Sequence, residues 1–463
     1  MNNDHLKQPL VLVIFGITGD LAQRKLLPAL FQLAKADELS PATHILGISR
    51  REVPVGDVYR ELVSFVGEAD YDPAIAQWLE SRTEMRQMGM DNVDDYQALF
   101  SRLQEVEGEL GHGASRLYYL SIPAQASVPI ITHLGETGHS NPLVGGDTPR
   151  LLVEKPFGYD YASAENLIAV ADKNFSEQQI YRIDHYVAKE TVQNMLTFRF
   201  QNPLFSAVWD NRHIDHISVV AYEKLGIEGR ATFYEQTGAL RDLIQSHLLQ
   251  LLAITTMDRP ESFTSNDIHA RKLELLEAIT PIAPEDVTKY TRRGQYKSYR
   301  AEVDNPDSIV ETFARLELQI QNATWQHVPI IIETGKAMAE KRTEITVGFS
   351  QADAKIEGRN KLIFRIQPGE GITLQLQAKQ PGIGNQMQAV DMDFDYTRSF
   401  NHRPAEAYER VIMDAIRGDQ TLFATSAEVL ASWRIVENVL EQWRASEAGL
   451  EFYESGSNGP NRL

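Results

Sequence analysis

The sequence predicts an α/β domain with a doubly wound parallel sheet, followed by a larger α+β domain with a mostly antiparallel sheet. Residues 11–15 form a wholly apolar, β-branched run, as in a strand buried on both faces, and a glycine turn and a long helical pattern follow. Strand-like and helical patterns then alternate to about residue 180, which is typical of a parallel sheet. Past residue 200 long alternating runs have few helices between them, which favours antiparallel pairing. We therefore expect two domains, residues 1–180 and 181–463.

The elements follow from these patterns in chain order. In the first domain, strands are predicted at residues 11–15, 44–48, 117–122 and 151–154, with helices at 22–33, 59–66 and 96–106 among them, and a further strand is predicted at 179–183, across the domain boundary. Val192, Met195 and Phe198 recur at about helical spacing after the last of these strands. In the second domain, strands are predicted at 216–222, 309–320, 328–332, 344–349, 362–367 and 372–378, and helices at 240–255, 405–417 and 426–443.

Composition excludes several classes of function. The chain contains no cysteine, which excludes disulfides, thiolate zinc sites and cysteine nucleophiles. Its net charge of −19 argues against nucleic acid as a partner, although a few converging lysines can still bind a small phosphorylated molecule. No apolar run approaches the roughly 18 residues that span a bilayer, and residues 1–9 lack the features of a signal peptide. We expect a cytoplasmic protein without a membrane partner.

The first candidate site is a glycine turn after the first strand, Gly16-Ile17-Thr18-Gly19-Asp20-Leu21-Ala22. Its spacing departs from the usual dinucleotide fingerprint, so an ordinary tight βα turn is an alternative. The second strand ends in Ser49-Arg50-Arg51, where an arginine suits the 2′-phosphate of NADP better than the ribose of NAD. We predict an NADP site, with NAD as second choice, whose candidate residues are Gly16, Thr18, Gly19, Asp20, Leu21 and Arg50.

A second candidate site lies at residues 181–194, where a predicted strand runs into a predicted helix. Asp184, His185, Tyr186 and Lys189 combine a carboxylate, an imidazole, a phenol and an ammonium, which suits proton transfer and phosphate binding. A helix start at a sheet edge also favours anions. The alternative is a charged helix start on a solvated face. Lys155 follows another strand end, in Lys155-Pro156-Phe157-Gly158, and is expected to face the cofactor.

The second domain contributes three further clusters. Asp242 and His247 lie in a predicted helix but are five residues apart, which puts them on different faces of an α-helix. Glu223 ends a strand, and Lys336 and Lys341 occupy a basic turn after another. Plainer alternatives are a hydrogen-bonded core histidine for His247, a helix-start carboxylate for Asp242 and solvated turn residues for Lys336 and Lys341.

Together these segments resemble the glucose-6-phosphate dehydrogenase family over nearly the whole chain. The matching blocks are F-G-I-T-G-D-L-A-Q-R-K-L-L-P-A-L, E-K-P-F-G, R-I-D-H-Y-V-A-K-E, R-D-L-I-Q-S-H, W-Q-H-V-P, T-G-K, A-Y-E-R and E-S-G-S-N-G-P. The resemblance implies a Rossmann-type NADP-binding domain and a second domain for substrate binding and dimerisation. It implies NADP-dependent oxidation of D-glucose 6-phosphate at C1 to 6-phospho-D-glucono-1,5-lactone, the first oxidative step of the pentose phosphate pathway. It also implies a cis Lys155–Pro156 bond and a homodimer or dimer of dimers.

The resemblance also implies roles for the candidate residues. His247 matches the general base and Asp184 the carboxylate that orients it; a base with a pKa near neutrality suits removal of the proton from the C1 hydroxyl. His185, Tyr186 and Lys189 match the phosphate contacts. The other matches are the substrate contacts Glu223, Asp242, Lys336 and Lys341, the cleft residues Lys25 and Lys155, and the 2′-phosphate contact Arg50.

Among the positions that depart from the family pattern, three concern the choice of substrate. Ala188 replaces a glycine, Ser246 an asparagine and Glu235 an aspartate, and any of them could alter which sugar phosphate fits. Two alternatives therefore stay open: a member of the family that acts on a different aldose or aldose phosphate, and a catalytically idle nucleotide-binding paralogue. An assay with a panel of sugars and sugar phosphates would distinguish a different substrate from glucose 6-phosphate. The presence of Asp184, Lys189 and His247 argues against an idle paralogue.

Overall fold

The chain divides into two compact units. The computed structural model describes residue 6 and residues 8–111, 113–143, 147–351, 358–400 and 405–460. The first unit comprises Met1–Gly158, Ala162–Ala188 and Ala405–Ser426; the second comprises Tyr159–Tyr161, Lys189–Pro404 and Ala427–Leu463. Compared with the predicted boundary at residue 180, the division falls after Ala188, because the strand that begins at Ile180 belongs to the first sheet. The helix Ala407–Arg417 also belongs to the first unit, although it lies outside the predicted range 1–180.

The first unit is built on a six-stranded sheet whose neighbouring strands all run parallel, as predicted. Its order, β3-β2-β1-β4-β5-β6, is that of a doubly wound dinucleotide-binding fold. The strands are β1 (Leu10–Phe15), β2 (Thr43–Ser49), β3 (Thr83–Gln87), β4 (Ser115–Leu120), β5 (Arg150–Val153) and β6 (Ile180–Arg182). Every residue of β1 and β4 is buried, as expected for central strands covered on both faces.

Helices cover this sheet. They are a π-helix at Ala22–Leu26, α-helices at Leu27–Lys35, Val55–Tyr59, Leu62–Val66, Pro73–Ser81, Val93–Leu110, Ser127–Glu136, Tyr161–Asn174 and Ala407–Arg417, and 3₁₀ turns at Ala124–Ala126 and Glu177–Gln179. The predicted helix at 59–66 is two short helices instead, separated at Arg60 and Glu61. Leu99 and Leu103 of the 18-residue helix Val93–Leu110 pack into the core with β1 and β4.

The second unit is built on a nine-stranded, mostly antiparallel sheet, which also confirms the prediction. Its order is β14-β13-β12-β11-β7-β10-β9-β8-β15, and only the pairs β7–β10 and β8–β15 are parallel. The strands are β7 (Ile214–Tyr222), β8 (Thr291–Tyr296), β9 (Phe313–Leu318), β10 (Ile330–Gly335), β11 (Arg342–Phe349), β12 (Lys361–Gln367), β13 (Gly371–Lys379), β14 (Met387–Asp395) and β15 (Leu450–Tyr453).

The helices of the second unit supply much of its core. They are a π-helix at Leu240–Leu248, α-helices at Glu190–Gln201, Pro203–Ser206, Ala231–Ala239, Leu249–Thr256, Ser265–Ala278, Val287–Tyr290, Tyr299–Glu302, Tyr396–Phe400 and Ser426–Ala445, and a 3₁₀ turn at Pro284–Asp286. Burial alternates along β12, and the helix Glu190–Gln201 packs against this strand. Within the described ranges, none of the helices combines the length and the apolar character needed to cross a membrane.

Candidate active site

The glycine turn after β1 has the close geometry that a dinucleotide site requires. Gly16 has a φ of +79°, and a Cβ at this position would lie 2.4 Å from the carbonyl oxygen of Ser121 at the end of β4. The N–H of Gly19 donates to the carbonyl oxygen of Gly16 at 2.8 Å. A cavity of about 280 Å³ opens beside the turn and is lined by Gly16, Thr18, Gly19 and Arg50 among others. The turn thus leaves room for backbone and pyrophosphate to approach each other, and it fits a dinucleotide.

Arg50 links this cavity to a second one of about 430 Å³, because it lines both. Arg51 and Arg60 also line the second cavity, which contains the carboxylates of Asp57 and Glu61 as well. Sequence reasoning did not assign Arg51 or Arg60 a role, although the Arg-Arg pair was a signal. Arg60 pairs with Asp57, whereas the neighbouring guanidinium groups of Arg50 and Arg51 suit the 2′-phosphate of NADP.

Two of the predicted cofactor residues have other surroundings. The carboxylate of Asp20 accepts a hydrogen bond from Arg24 Nε at 2.5 Å on the exposed surface. Leu21 is half-buried just before the π-helix Ala22–Leu26. Neither residue lines the two cavities described above, whereas Gly16, Thr18, Gly19 and Arg50 do.

Asp184 and its neighbours follow β6 at the carboxyl edge of the first sheet. Asp184 is 5% exposed, and its Oδ1 accepts hydrogen bonds from the N–H groups of Tyr186 at 2.9 Å and Val187 at 3.3 Å. These bonds fix the carboxylate. The ring of His185 lies 5.0 Å from that of Tyr186 and 6.3 Å from that of Tyr408, measured between centroids. The structure therefore brings the rings of His185 and Tyr186, two predicted phosphate contacts, next to each other just after the fixed carboxylate of Asp184.

Lys155 follows the adjacent strand β5, and its bond to Pro156 is cis, as predicted. The residue before it, Glu154, was not singled out from the sequence. Tyr119 donates its hydroxyl to Glu154 Oε1 at 2.6 Å. Burial raises the pKa of Glu154, and hydrogen bonds from Tyr119 and Tyr408 and the charge of Lys155 oppose that rise. The blocks E-K-P-F-G and A-Y-E-R contain Glu154 and Tyr408 and were the signals that could have identified them.

In the second unit, Lys336 joins Glu223 and Asp242. Lys336 is 3% exposed at the end of β10; its Nζ hydrogen-bonds Glu223 and lies 3.9 Å from Asp242 Oδ2. The ring of Tyr234, a residue that sequence reasoning missed, lies 5.2 Å from the same ammonium. Two carboxylates around one cation provide acceptors and donors side by side, which suits sugar hydroxyls better than a phosphate.

Asp242 and His247 both lie in the π-helix Leu240–Leu248. A π-helix has hydrogen bonds from i to i+5, so residues five apart come closer to one face than they do on an α-helix. The expectation of different faces was therefore wrong, because it assumed an α-helix. Asp242 and His247 are 9% and 0% exposed, respectively. The hydroxyl of Ser246 donates to the carbonyl oxygen of Asp242 at 2.9 Å, within the same helix.

Lys189 precedes the helix Glu190–Gln201, where the sequence predicted an anion. Its Nζ lies 3.8 Å from Glu370 Oε1. Glu370 Oε2 accepts from the N–H of Thr191 at 3.0 Å, so a carboxylate of the chain itself caps this helix. Glu370 was missed because it belongs to the distant turn between β12 and β13.

The two remaining lysines are exposed. Lys25 lies in the π-helix Ala22–Leu26 of the first unit, and Lys341 immediately precedes β11 in the second. The structure thus groups Asp184, His185 and Tyr186 in one unit and Glu223, Asp242 and Lys336 in the other, while the roles of Lys25 and Lys341 are still predictions.

Comparisons with known proteins cover nearly the whole chain. Residues 13–194 match the family model "Glucose-6-phosphate dehydrogenase, NAD binding domain", and residues 196–463 match "Glucose-6-phosphate dehydrogenase, C-terminal domain". A glucose-6-phosphate 1-dehydrogenase of Chlamydia muridarum is 38% identical over 98% of this chain and 94% of its own length. A solved glucose-6-phosphate dehydrogenase in complex with its substrate glucose-6-phosphate is 33% identical, has a TM-score of 0.91, and is matched over 98% of this chain and 96% of its own. A solved glucose-6-phosphate 1-dehydrogenase from Mycobacterium avium is 30% identical and has a TM-score of 0.83, and the match covers 98% of this chain and 96% of that one.

Proposed function

Because the chain belongs to the glucose-6-phosphate dehydrogenase family, we propose that it oxidises D-glucose 6-phosphate at C1 to 6-phospho-D-glucono-1,5-lactone with NADP⁺ as acceptor. This is the first oxidative step of the pentose phosphate pathway. The observation that carries the proposal is the match to both family domains over nearly the whole chain. The residues that such a reaction needs are present at the matching motif positions.

Residues 1–180 are proposed to bind NADP. The backbone of Gly16 and Gly19, with Thr18, Asp20 and Leu21, would hold the dinucleotide at the turn, and Arg50 would pair with its 2′-phosphate. Gly16 supports this assignment, because a Cβ there would collide with the carbonyl oxygen of Ser121, so the close turn requires glycine. When bound, NADP⁺ accepts the hydride from C1. NAD lacks the 2′-phosphate that Arg50 would read, so we rank it second.

Residues 181–463 are proposed to bind the sugar phosphate, together with residues from the preceding segment. His185, Tyr186 and Lys189 would hold the phosphate through charged or hydroxyl donors. Glu223, Asp242, Lys336 and Lys341 would bind the sugar, and Lys25 and Lys155 would lie between the sugar and the cofactor. Binding at the phosphate end orients C1 for the reaction.

His247 is proposed as the general base. It takes the proton of the C1 hydroxyl as the carbon loses its hydride, which leaves a carbonyl in the lactone. Asp184 would keep the imidazole in the accepting tautomer and stabilise the imidazolium that forms. The two backbone N–H groups that hold Asp184 Oδ1 support a fixed carboxylate in this role.

A homodimer, or a dimer of dimers, is proposed to form through the sheet of the second unit. The outermost strand, β14, is exposed along residues 387–393 and presents Val390 and Met392 to solvent. An exposed edge strand is a template for pairing with another chain. A cytoplasmic location is still a prediction, and cell fractionation would test it.

A direct assay tests the proposed activity. The purified chain is mixed with NADP⁺ and glucose 6-phosphate, glucose or other aldose phosphates, and formation of reduced nicotinamide is followed by absorbance. We expect the highest kcat/KM with glucose 6-phosphate. Faster turnover of another sugar would assign the chain to a different aldose, and absence of turnover with the whole panel would favour the idle paralogue.

A further inference from the structure

The N-terminal end of the π-helix Leu240–Leu248 rests on a buried carboxylate from a different part of the chain. Glu311, two residues before β9, is 5% exposed. Its Oε1 accepts a hydrogen bond from the N–H of Leu240 at 2.9 Å, and its carbonyl oxygen accepts one from the N–H of Ala239 at 2.9 Å. We propose that Glu311 is a positioning residue, which fixes the start of the helix that carries Asp242 and His247; this inference rests on the proposed function.

The backbone conformation of Gly238 and its lack of a side chain allow the contact between Glu311 and the helix start. Its φ is 63° and its ψ is 179°, a region that only glycine populates readily. A Cβ at this position would lie 2.4 Å from Glu311 Oε1 and 2.8 Å from its Cδ. The carboxylate can therefore reach the helix start only because residue 238 has no side chain.

Burial raises the pKa of Glu311, and the charge of Arg241 and the hydrogen bond from the N–H of Leu240 oppose that rise. The positive end of a helix dipole attracts an anion. Arg241, the second residue of the π-helix, donates to the carbonyl oxygens of Tyr159 at 2.9 Å and Thr237 at 3.1 Å. Two contacts thus fix the helix start: Glu311 accepts hydrogen bonds from backbone N–H groups of the helix start, and Arg241 donates hydrogen bonds to neighbouring backbone carbonyl groups.

A fixed start matters because the reactive groups follow within the same helix. Asp242 is two residues after Leu240 and His247 is seven residues after it. A displacement of about 1 Å at a reacting group can lower a rate by about 10²-fold. A change at Glu311 should therefore affect the chemical step, although Glu311 is not assigned any contact with substrate.

The test compares Glu311→Ala with Glu311→Gln, which keeps an acceptor oxygen. Glu311→Ala should lower kcat by roughly 10- to 100-fold and change the KM for glucose 6-phosphate by less than about threefold. In Glu311→Ala, the primary deuterium isotope effect on kcat, measured with substrate deuterated at C1, should be at least as large as in the parent chain, because the chemical step becomes rate-limiting. Glu311→Gln should keep kcat within about threefold of the parent value. Amides of residues 240–248 should exchange hydrogen faster in Glu311→Ala.

Glu428→Ala is the matched control, because it also removes a buried carboxylate of the second unit. Glu428 is 0% exposed and pairs with Lys272 at 3.0 Å. Glu428→Ala should lower the Tm but should not change kcat per folded molecule or the rate of amide hydrogen exchange at residues 240–248. A loss of kcat equal to that of Glu311→Ala would mean that any buried carboxylate matters, and would overturn the proposal.

Gly238→Ala adds a coupling measurement. Its damage to kcat should be smaller in the Glu311→Ala background, where the carboxylate that a Cβ would meet is gone. Additive effects would contradict the contact. Unchanged kcat and exchange in Glu311→Ala, or equal losses in Glu311→Ala and Glu311→Gln, would overturn the inference. If the parent chain does not oxidise glucose 6-phosphate, the proposed function fails, and hydrogen exchange alone then decides the role of Glu311.

Discussion

At the residue scale, His247 carries the most specific chemical prediction. Replacing His247 by asparagine keeps a side chain of similar polarity but removes the base, so kcat should fall by about 10² to 10⁴ while the Kd for glucose 6-phosphate changes little. Steady-state kinetics and equilibrium binding measure the two quantities. His216→Asn, at a partly exposed position on β7, is the control and should keep the parent kcat. A normal rate in His247→Asn would remove this residue from the base role.

Arg50 is the residue that we expect to distinguish the two nicotinamide cofactors. Loss of one charge-assisted hydrogen bond should weaken NADP⁺ binding by about 10- to 100-fold, since such a bond contributes about 1.5–3 kcal/mol. Binding of NAD⁺ should change by less than about threefold, because it has no 2′-phosphate. Titration of Arg50→Ala with both cofactors checks this. Arg82→Ala is the control; it loses a stacking contact with Trp78 at 4.4 Å and a hydrogen bond to the carbonyl oxygen of Pro41 at 3.0 Å, and it should bind both cofactors normally. Equal losses for both cofactors would contradict the assignment.

The positions that depart from the family pattern show what sequence alone could not decide. Glu235 was a candidate for altered substrate choice. In the structure its carboxylate accepts from Tyr299 at 2.6 Å, Ser308 at 2.7 Å and Asn305 at 2.8 Å. These three donors from the segment 299–308 occupy the carboxylate of Glu235, which favours a structural role over a contact with substrate. No spacing in the sequence indicates these partners, because they lie more than 60 residues further along the chain.

At the scale of elements, apolar runs were predicted well and polar strands were not. The β-branched run at β1 and the alternating run at β12 needed only their own residues for a correct prediction. β3 (T-E-M-R-Q), β8 (T-R-R-G-Q-Y) and β14 (M-Q-A-V-D-M-D-F-D) were missed because their polar residues hide the period of two. The π-helix at Leu240–Leu248 was missed for a different reason: its apolar residues predict a helix, but they do not distinguish i to i+5 hydrogen bonding from that of an α-helix.

A buried histidine ties β4 to the helix Val93–Leu110 and should make this element sensitive to acid. His139 is 0% exposed; its Nδ1 accepts from the Tyr118 hydroxyl at 2.6 Å and its Nε2 donates to the Tyr96 carbonyl oxygen at 3.0 Å. Burial, and secondarily the charge of Arg116, lower the pKa of His139 to about 4. Neutral His139 therefore contributes stability that is present above pH 6.5 and lost as the pH falls toward 4, because the unfolded state then binds the proton more tightly.

The expected loss from His139 between pH 7 and pH 5 is about 2 kcal/mol in the free energy of opening this element. Hydrogen exchange of the amides in β4, corrected for intrinsic rates, measures that free energy at both pH values. His139→Gln should show a pH dependence smaller by the same amount, since it cannot take up the proton. An identical pH dependence in the two proteins would contradict the origin assigned to it.

At the scale of the whole molecule, the edge strand β14 predicts the oligomeric state. Val390 and Met392 are 41% and 60% exposed on one side of this strand. Replacing both with glutamate should shift the sedimentation coefficient from dimer to monomer, because it places two charges on the proposed pairing surface. Leu204→Glu, at a 74% exposed position in the helix Pro203–Ser206, should leave the dimer intact. A monomeric parent chain, or a double variant that stays dimeric, would contradict this interface.

The organisation of the chain into two units was only partly predictable from sequence. The change from alternating helices and strands to consecutive strands correctly indicated a parallel sheet followed by a mostly antiparallel one. The return of Ala405–Ser426 to the first unit was not predicted, since an amphipathic helix does not specify which core it joins. Arg150, whose Nη1 donates to the carbonyl oxygens of Ala415 at 3.0 Å and Ile416 at 2.8 Å, shows how that segment is held.

The proposed reaction requires His247 and the phosphate-binding residues to act on one sugar molecule. A crystal structure of the chain with glucose 6-phosphate alone, which cannot turn over without an acceptor, tests this most directly. We expect the phosphate on His185, Tyr186 and Lys189, and an imidazole nitrogen of His247 about 2.6–3.2 Å from the C1 hydroxyl oxygen. A sugar bound with C1 out of reach of His247, or a phosphate held by other residues, would contradict the account.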